Sequence, residues 1–226
     1  MPAPRKPARS AARAGRGALS RDRIETAALA LIDADGLEGF SIRKLGEALG
    51  CEAMSLYHHF PSKAHLLDAL VDRLVDRLVA ALPRPPREAP PAARLRALAH
   101  AWRALARQHP RFFPFLSVHR LNSVTGVAFL NEVMLTLRDA GLDSERAARL
   151  FRAINYYLVG AALDEAGGYG HGPSSLAPVD DATLARDFPA LAALGAYADP
   201  AQFDRTFDFG LDLLLAALDA PATRRR

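Results

Sequence analysis

Residues 40–70 read FSIRKLGEALGCEAMSLYHHFPSKAHLLDAL, and most of the architecture can be worked out from this stretch. Its pattern predicts two short helices, over 41–49 and 53–60, joined by a turn at 50–52 and stopped by Pro61. Such a pair, braced by a helix on each side, is the layout of a helix-turn-helix DNA reader. A plain helical hairpin inside a bundle has the same pattern, so the spacing alone leaves both interpretations open.

The spacing of apolar residues predicts a longer helix on each side of this unit. Ser20 is placed to cap a helix that ends at Gly36, and Ser41 is placed to cap the first short helix. Ser62 is placed to cap a long helix whose leucines repeat at helical spacing. Five prolines follow between residues 83 and 91. Because proline breaks a helix and stiffens an extended chain, this segment is predicted to be a linker.

Beyond the linker the pattern is again helical, and no segment alternates for long at the period of a strand. Helices are expected over 92–108, 112–119, 125–140, 144–166 and 201–220, with a weaker one over 181–194 and a mobile loop over 167–178. The chain is therefore predicted to be all-α, with an N-terminal three-helix domain that contains the helix-turn-helix and a C-terminal helical domain. The predicted boundaries are a disordered basic arm over 1–19, the first domain over 20–82, the second over 92–220 and a basic tail over 221–226.

Charge is divided unevenly along the chain. The net charge is +4, yet residues 1–23 hold seven Lys or Arg against Asp22 alone, and the tail holds three more arginines. The remainder is therefore acidic, and residues 24–82 hold nine Asp or Glu against five Lys or Arg. A basic arm on an acidic body indicates that the arm contacts a polyanion such as DNA. A mitochondrial-type presequence and a solubility tail are the alternatives.

Composition and motifs disfavour several classes of protein. Half of the 226 residues are hydrophobic, which excludes a disordered chain, and the single cysteine, Cys51, excludes an internal disulfide. Cys51 is expected to be a small apolar residue of the turn, with redox sensing as the alternative. The longest apolar run, 153–163, is too short to span a bilayer, and no membrane partner is expected.

Catalytic signatures are missing from the sequence. It contains no HExxH, no P-loop lysine motif, no GxSxG and no clustered metal ligands, so a helical enzyme is disfavoured. No cofactor or metal is expected. The adjacent His58 and His59 point about 100 degrees apart on a helix and cannot readily chelate one metal ion.

The second short helix is predicted to have one buried and one free face. Leu56 and Phe60 form the apolar edge that anchors it, and the opposite face is free to enter a major groove. Tyr57 is expected on that free face, and the alternative is that its side chain is partly buried in the core. The side chains expected on the free face are Ala53, Ser55, Tyr57, His58 and His59.

Residues 24–70 resemble the N-terminal DNA-binding domain of the TetR (tetracycline repressor-like) family of bacterial transcriptional regulators, most specifically through LYHHFPSK at 56–63. The segment LRDAGLDSERAARLFRAINYYLVGAALDEAGG at 137–168 is similar to the regulatory domain of that family. The resemblance implies that Arg43 contacts a base or a phosphate, and that His58 and His59 lie on the groove-facing edge. It implies backbone phosphate contacts for Ser41, Ser55, Tyr57 and Lys63.

The C-terminal domain is expected to bind a ligand, because apolar helices with a few polar groups are the usual lining of a small-molecule cavity. The candidate ligand-binding residues are Trp102, Phe115, His119, Asn155 and Tyr156. Each aromatic side chain could instead be core, and His119 or Asn155 could instead make a structural hydrogen bond. Tetracycline-binding members of the family use a histidine and a magnesium ion, but no matching set of acidic ligands is found here.

Two helices carry apolar stripes that the resemblance assigns to a dimer interface. The stripe residues are Ile154, Leu158 and Ala161 in one helix and Phe207, Leu211, Leu214 and Leu218 in the last. In the family these helices form a four-helix bundle between subunits, where Gly160, Ala161 and Gly210 would permit close approach. The alternative is that each stripe faces the core of its own subunit. Dimerisation is expected because a two-fold protein reads two half-sites roughly 34 to 36 Å apart.

The resemblance and the two domains together predict a cytoplasmic, homodimeric transcriptional regulator, with repression as the expected mode of action. It would bind a palindromic operator and release it when a small apolar effector binds the C-terminal domain, with coupling through the helix that starts after Ser62. The alternative is a DNA-binding dimer without an effector.

Overall fold

The computed structural model describes residues 18–82, 89–167, 175–197 and 199–219, and within these ranges all the regular secondary structure is helical. The N-terminal domain contains α1 (Arg21–Gly39), α2 (Ile42–Leu49), α3 (Ala53–Tyr57) and α4 (Lys63–Ala81). The C-terminal domain contains α5 (Pro91–Gln108), α6 (Phe113–Val118), α7 (Val124–Asp139), α8 (Ser144–Gly167), α9 (Asp181–Asp187), α10 (Pro189–Ala192) and α11 (Phe203–Leu215). The all-α prediction with its helix-turn-helix is confirmed.

Serine side chains begin three of the N-terminal helices, as the sequence predicts. The hydroxyls of Ser20, Ser41 and Ser62 each accept a hydrogen bond from the backbone N–H three residues further along. Gly36 has φ 78°, and this left-handed residue breaks the regular helix of α1 before its last residues. Gly50 ends α2 with φ 67°.

The second short helix ends earlier than predicted, at Tyr57 rather than at residue 60. The carbonyl of Leu56 accepts hydrogen bonds from the N–H groups of both His59 and Phe60, so the chain closes into a turn at His58 and His59. Pro61 follows and has no N–H with which to continue the helix. Phe60 is nevertheless buried as predicted, because the turn carries its side chain back into the core.

A second difference lies at the linker. Pro91 is the first residue of α5, where a proline is tolerated because the first helical N–H has no partner within the helix. Residues 83–88 lie outside the described ranges, as do 1–17, 168–174 and 220–226, which hold most of the predicted arm, part of the predicted loop and the tail. Leu19, which falls within the predicted arm, packs against the core of the N-terminal domain.

Helix α5 lies at the centre of the C-terminal domain, between α7 and α8, and also contacts α4. A row of basic side chains on α5 faces a row of aspartates on α11 in antiparallel order. This charge ladder pairs Arg96 with Asp212, His100 with Asp208 and Arg103 with Asp204. Its Arg103 is only 5% exposed and also binds Glu165 of α8, 2.8 Å away.

Burial alone would lower the pKa of Arg103. The hydrogen bonds and negative charges of Glu165 and Asp204 outweigh that effect, so its pKa lies above the ordinary value. The guanidinium therefore holds three helices together as a permanent cation.

Side-chain contacts join the C-terminal domain to α1 and to α4. At α1, the imidazole Nδ1 of His109, just after α5, lies 2.8 Å from Oδ2 of Asp33, and Arg111 donates to the carbonyl of Ala34. The joint at α4 connects this helix to the start of α7, where the hydroxyl of Ser123 donates to Asp72. No helix in the described residues is long and apolar enough to cross a membrane.

Candidate functional site

The surface formed by α3 is the first candidate site. Leu56 and Phe60 face the core, and the opposite side of α3 exposes Met54, Tyr57 and His58 to solvent. Ser55 and His59 lie at the edges of this surface and are half-buried. The prediction of a free reading face therefore agrees with the geometry, and Tyr57, which is exposed, is not a core residue.

The remaining predicted DNA contacts lie around α3. The Arg43 side chain on α2 is 86% exposed, and its Nε makes an ion pair with Glu47 at 3.4 Å. The Lys63 amine donates to the carbonyl of Phe40 at 2.9 Å and lies over the Phe40 ring, so it also braces the domain. Ser41 uses its hydroxyl oxygen to cap α2. Both Lys63 and Ser41 retain a further hydrogen-bond donor for a phosphate.

Two further residues belong to this surface. Met54, which is 66% exposed, was not among the predicted DNA contacts. Arg21, counted from the sequence only as part of the basic arm, lies with its guanidinium 4.1 Å from the centre of the Phe60 ring and donates to the carbonyl of His59 at 2.6 Å. Arg21 therefore clamps the end of the reading unit onto the start of α1. An arginine directly after a capping serine gave no signal of this role.

The second candidate site is a cavity of about 950 Å³ inside the C-terminal domain. Its wall is formed by α5, α6, α7 and α8 together with the segment 119–122. Most of the lining is aliphatic or aromatic, a composition typical of sites for small organic molecules.

Four of the five predicted ligand-binding residues line this cavity: Trp102, His119, Asn155 and Tyr156. Trp102 is buried in the wall, whereas Tyr156 is exposed at the rim. Phe115 is not among the lining residues; its ring packs between Phe112 and His119 behind the wall. Periodicity placed Phe115 on the correct helix but could not show which way its ring turns.

The cavity wall is bonded directly to α4, the helix that leads from the reading unit. His119 Nε2 lies 3.2 Å from Oδ1 of Asp68, and the bond from Ser123 to Asp72 lies one turn further along α4. His119 therefore lies within ion-pair distance of Asp68 and at the same time lines the cavity.

The apolar stripes assigned to a dimer interface are turned towards the core of the single subunit. Ile154, Leu158, Phe207 and Leu211 are buried in the core of a single subunit, and Ala161, Leu214 and Leu218 are half-buried against that core. The stripes face inward because α8 packs on α11 and on α5, and side chains of α5 contact Phe207 of α11. The large exposed apolar side chains of these two helices are Tyr156, Leu163, Phe209 and Leu213.

Gly210, predicted to permit close approach between subunits, lies against a side chain of α8 in its own subunit. A Cβ at this position would lie 2.5 Å from the hydroxyl of Tyr157 in the same chain, so the glycine makes room for that ring. The Tyr157 hydroxyl donates to the carbonyl of Phe207 at 2.8 Å, which fixes α8 against α11. A Cβ at Gly160, by contrast, would meet nothing within 4 Å.

A helix-turn-helix with an exposed reading face, joined through one long helix to a helical domain with a cavity, defines the class of DNA-binding regulators with a sensor domain. Comparison with known proteins identifies the family within this class. Residues 24–70 match the bacterial regulatory proteins of the tetR family, and residues 83–221 match the tetracyclin repressor-like C-terminal domain. The chain belongs to the tetR family of bacterial regulatory proteins, which confirms the resemblance.

Individual relatives cover nearly the whole chain. The HTH-type transcriptional repressor DrrR1 of Streptomyces coeruleorubidus is 29% identical over 92% of this chain and 80% of its own length. The tetracycline repressor protein class A from transposon 1721 of Escherichia coli is 30% identical over 88% of this chain and 90% of its own. The structure of the Streptomyces coelicolor TetR family protein ActR in complex with actinorhodin has a TM-score of 0.70 and 26% identity, covering 92% of this chain and 100% of that one.

Proposed function

We propose that this protein is a transcriptional repressor of the bacterial cytoplasm, which binds operator DNA as a homodimer and releases it when a small, largely apolar molecule fills the cavity. The contact that carries this proposal joins His119 of the cavity wall to Asp68 of α4. Because His119 lines the cavity and lies 3.2 Å from Asp68, a molecule that moves His119 changes the hold on the helix that leads from the reading unit.

The reading surface supports the DNA-binding half of the proposal. Met54 and Tyr57 project from α3, and an exposed methionine or aromatic ring suits apolar contact with a thymine methyl group. The only ion pair that Arg43 makes within the described residues is long and exposed, to Glu47, and DNA binding can replace it at little cost. The guanidinium can then bind a guanine or a phosphate. Ser41, Ser55, His58, His59 and Lys63 remain proposed contacts around this centre.

Exposed apolar residues support the homodimer. On α8, Tyr156, Gly160 and Leu163 follow one another at helical spacing on the surface, and on the adjacent α11 Phe209 and Leu213 are 67% and 64% exposed. Two neighbouring helices with such faces fit a second copy of the same pair, which would cover all four large side chains. We therefore move the proposed interface from the buried stripes to this surface.

Relatives support ligand-controlled repression. DrrR1 is named as a repressor, ActR has been solved with actinorhodin bound, and the class A relative is a tetracycline repressor. The cavity volume of about 950 Å³ is large enough for a molecule of several fused rings. The relatives do not identify the effector of this chain, whose own cavity lining decides what fits.

The test is selection of bound genomic DNA fragments by the purified full-length protein, followed by binding assays on the selected site. Arg43→Ala and Tyr57→Phe are expected to weaken specific binding, Arg43→Ala by about tenfold or more because one good base contact is worth roughly 1–3 kcal/mol. The matched control is Arg149→Ala on α8, which removes an exposed arginine that also pairs with a glutamate one turn away, at 2.7 Å.

Unchanged specific binding by both Arg43→Ala and Tyr57→Phe, or an equal loss with Arg149→Ala, contradicts the assigned reading face. Failure to enrich any fragment contradicts the DNA-binding function itself.

A further inference from the structure

The charged residues of the cavity lining indicate the charge of the ligand that the cavity favours. Arg120, Arg152 and His119 contribute to the wall, and none of the described residues that line it is an aspartate or a glutamate. A molecule in this cavity therefore meets apolar surface and cationic groups, without a carboxylate among the described lining to balance them.

A neighbouring cavity does not share this excess of cationic lining residues. It has a volume of about 780 Å³ and lies between α4, α5 and α7. It shares Leu95, Leu98, Phe129 and Val133 with the larger cavity. Asp76 and Glu132 line it, and Arg94, its arginine, is already paired with Asp139 at 2.7 Å. Two adjacent cavities thus differ in the sign of the charge that they offer.

Arg120 is the cation best placed to bind a ligand. It is exposed in the segment between α6 and α7, at the edge of the cavity, and within the described residues its side chain has neither an ion pair nor a hydrogen bond. Arg152, which is exposed on α8, donates to the hydroxyl of Tyr156 at 3.0 Å and to no other group of the described residues. Guanidinium groups bind carboxylates strongly and often through two parallel hydrogen bonds.

A buried N–H group of the wall also lacks an acceptor in the part of the chain that the structure describes. The buried indole N–H of Trp102 has no hydrogen-bond partner among the described residues, and an oxygen atom is what would satisfy it. The side-chain amide of Asn155 adds donors to the same wall.

We infer that the effector of this protein is an acid: a largely apolar molecule that carries a carboxylate or an ionised hydroxyl, with the anion held at the rim by Arg120 and Arg152. The inference rests on the proposed function, since it specifies the ligand of the same cavity. It also gives the release step a chemical cause. An anion at this end of the cavity competes with Asp68 for the imidazole of His119 and so loosens the joint to α4.

Three probes of the same shape test the inference: anthracene carboxylate, its carboxamide and its aminomethyl analogue, which are anionic, neutral and cationic at neutral pH. Trp102 is the only tryptophan in the chain and lines the cavity, so quenching of its fluorescence by the anthracene ring reports binding directly. We expect the carboxylate to bind at least about tenfold more tightly than the other two.

The variant Arg120→Gln should remove most of this preference by weakening carboxylate binding alone. Arg138→Gln, which removes an exposed arginine of α7 that does not line the cavity, should leave all three affinities unchanged. Equal or tighter binding of the carboxamide or the aminomethyl compound overturns the inference while leaving the ligand-controlled function in place. If none of the probes quenches Trp102, the inference is overturned too, whereas DNA binding is judged separately by the fragment selection.

Discussion

Single residues were predicted well where the signal is local. A serine that caps a helix needs only the backbone N–H three residues on, so Ser20, Ser41 and Ser62 could be assigned from the sequence. The end of α3 could not be assigned from the sequence, because it depends on two N–H groups that compete for the carbonyl of Leu56. The clamp that Arg21 forms on Phe60 was equally hidden, since it joins residues far apart in the chain.

Gly46 offers a prediction whose sign is decided by packing. In an exposed helix, replacing glycine by alanine stabilises by about 1 kcal/mol. At Gly46, however, a Cβ would lie 2.9 Å from the carbonyl oxygen of Cys51, in the turn that sets the angle between α2 and α3. We therefore expect Gly46→Ala to destabilise the protein by about 1–3 kcal/mol and to weaken DNA binding, as measured by urea unfolding and the fragment assay.

Ala48→Gly in the same helix is the control, because Ala48 is exposed and only the helix propensity changes. It should cost about 1 kcal/mol. A Gly46→Ala protein that is more stable than the wild type would show that α2 and α3 have room to separate.

At the scale of the element, periodicity identifies an apolar stripe but not the neighbour that it faces. Ile154 and Leu211 were assigned to a partner and turned out to face their own subunit. The charge ladder was detectable, because Asp204, Asp208 and Asp212 recur at intervals of four on one helical face. What the sequence could not supply was the antiparallel register of α11 on α5, which depends on how the chain returns after α8.

Arg103 is expected to be the energetic centre of the charge ladder. Arg103→Met leaves Glu165, which is itself about 90% buried, without its cation, and should cost about 3–5 kcal/mol in urea unfolding. Arg107→Met is the comparison, since Arg107 is exposed and reaches Asp204 only at 3.5 Å. It should change the stability by less than about 1 kcal/mol. Equal effects would mean that the network contributes no more than surface charge.

The joint at α4 gives a second prediction for an element. Asp72→Ala removes the acceptor of the Ser123 hydroxyl and should cost about 1.5–3 kcal/mol, because a hydrogen bond to a charged group disappears. Asp76→Ala, one turn further along the same helix, is the control: within the described residues its carboxylate has no partner. If both substitutions have the same effect on urea unfolding, Ser123 does not hold α4.

For the whole molecule, the proposed dimer surface predicts the oligomeric state. Leu213→Glu places a charge in the apolar face of α11 and should convert a dimer to a monomer in sedimentation velocity, with loss of operator binding. Leu135→Glu places the same charge on another partly exposed leucine, on α7, and should leave the dimer intact. A Leu213→Glu protein that remains dimeric would locate the interface elsewhere.

The basic arm is a second property of the whole molecule. Because residues 24–82 are acidic, deletion of 1–17 should weaken DNA binding and flatten its salt dependence, by nearly one unit of slope for each phosphate that the arm neutralises. Deletion of 221–226, which also removes three arginines, is the control and should leave the slope unchanged, since α11 lies in the domain away from α3. Measurement of the affinity over a salt series distinguishes the two.

The thin wall between the two cavities bears on how regulators of this kind could diverge. Leu95, Leu98, Phe129 and Val133 line both cavities, so each of these side chains separates one cavity from the other. Trimming Phe129 to a smaller residue would merge the cavities and bring Asp76 and Glu132 within reach of one guest. A single codon change could thus open the way from acids towards bases and zwitterions, with the DNA-reading half of the molecule inherited unaltered.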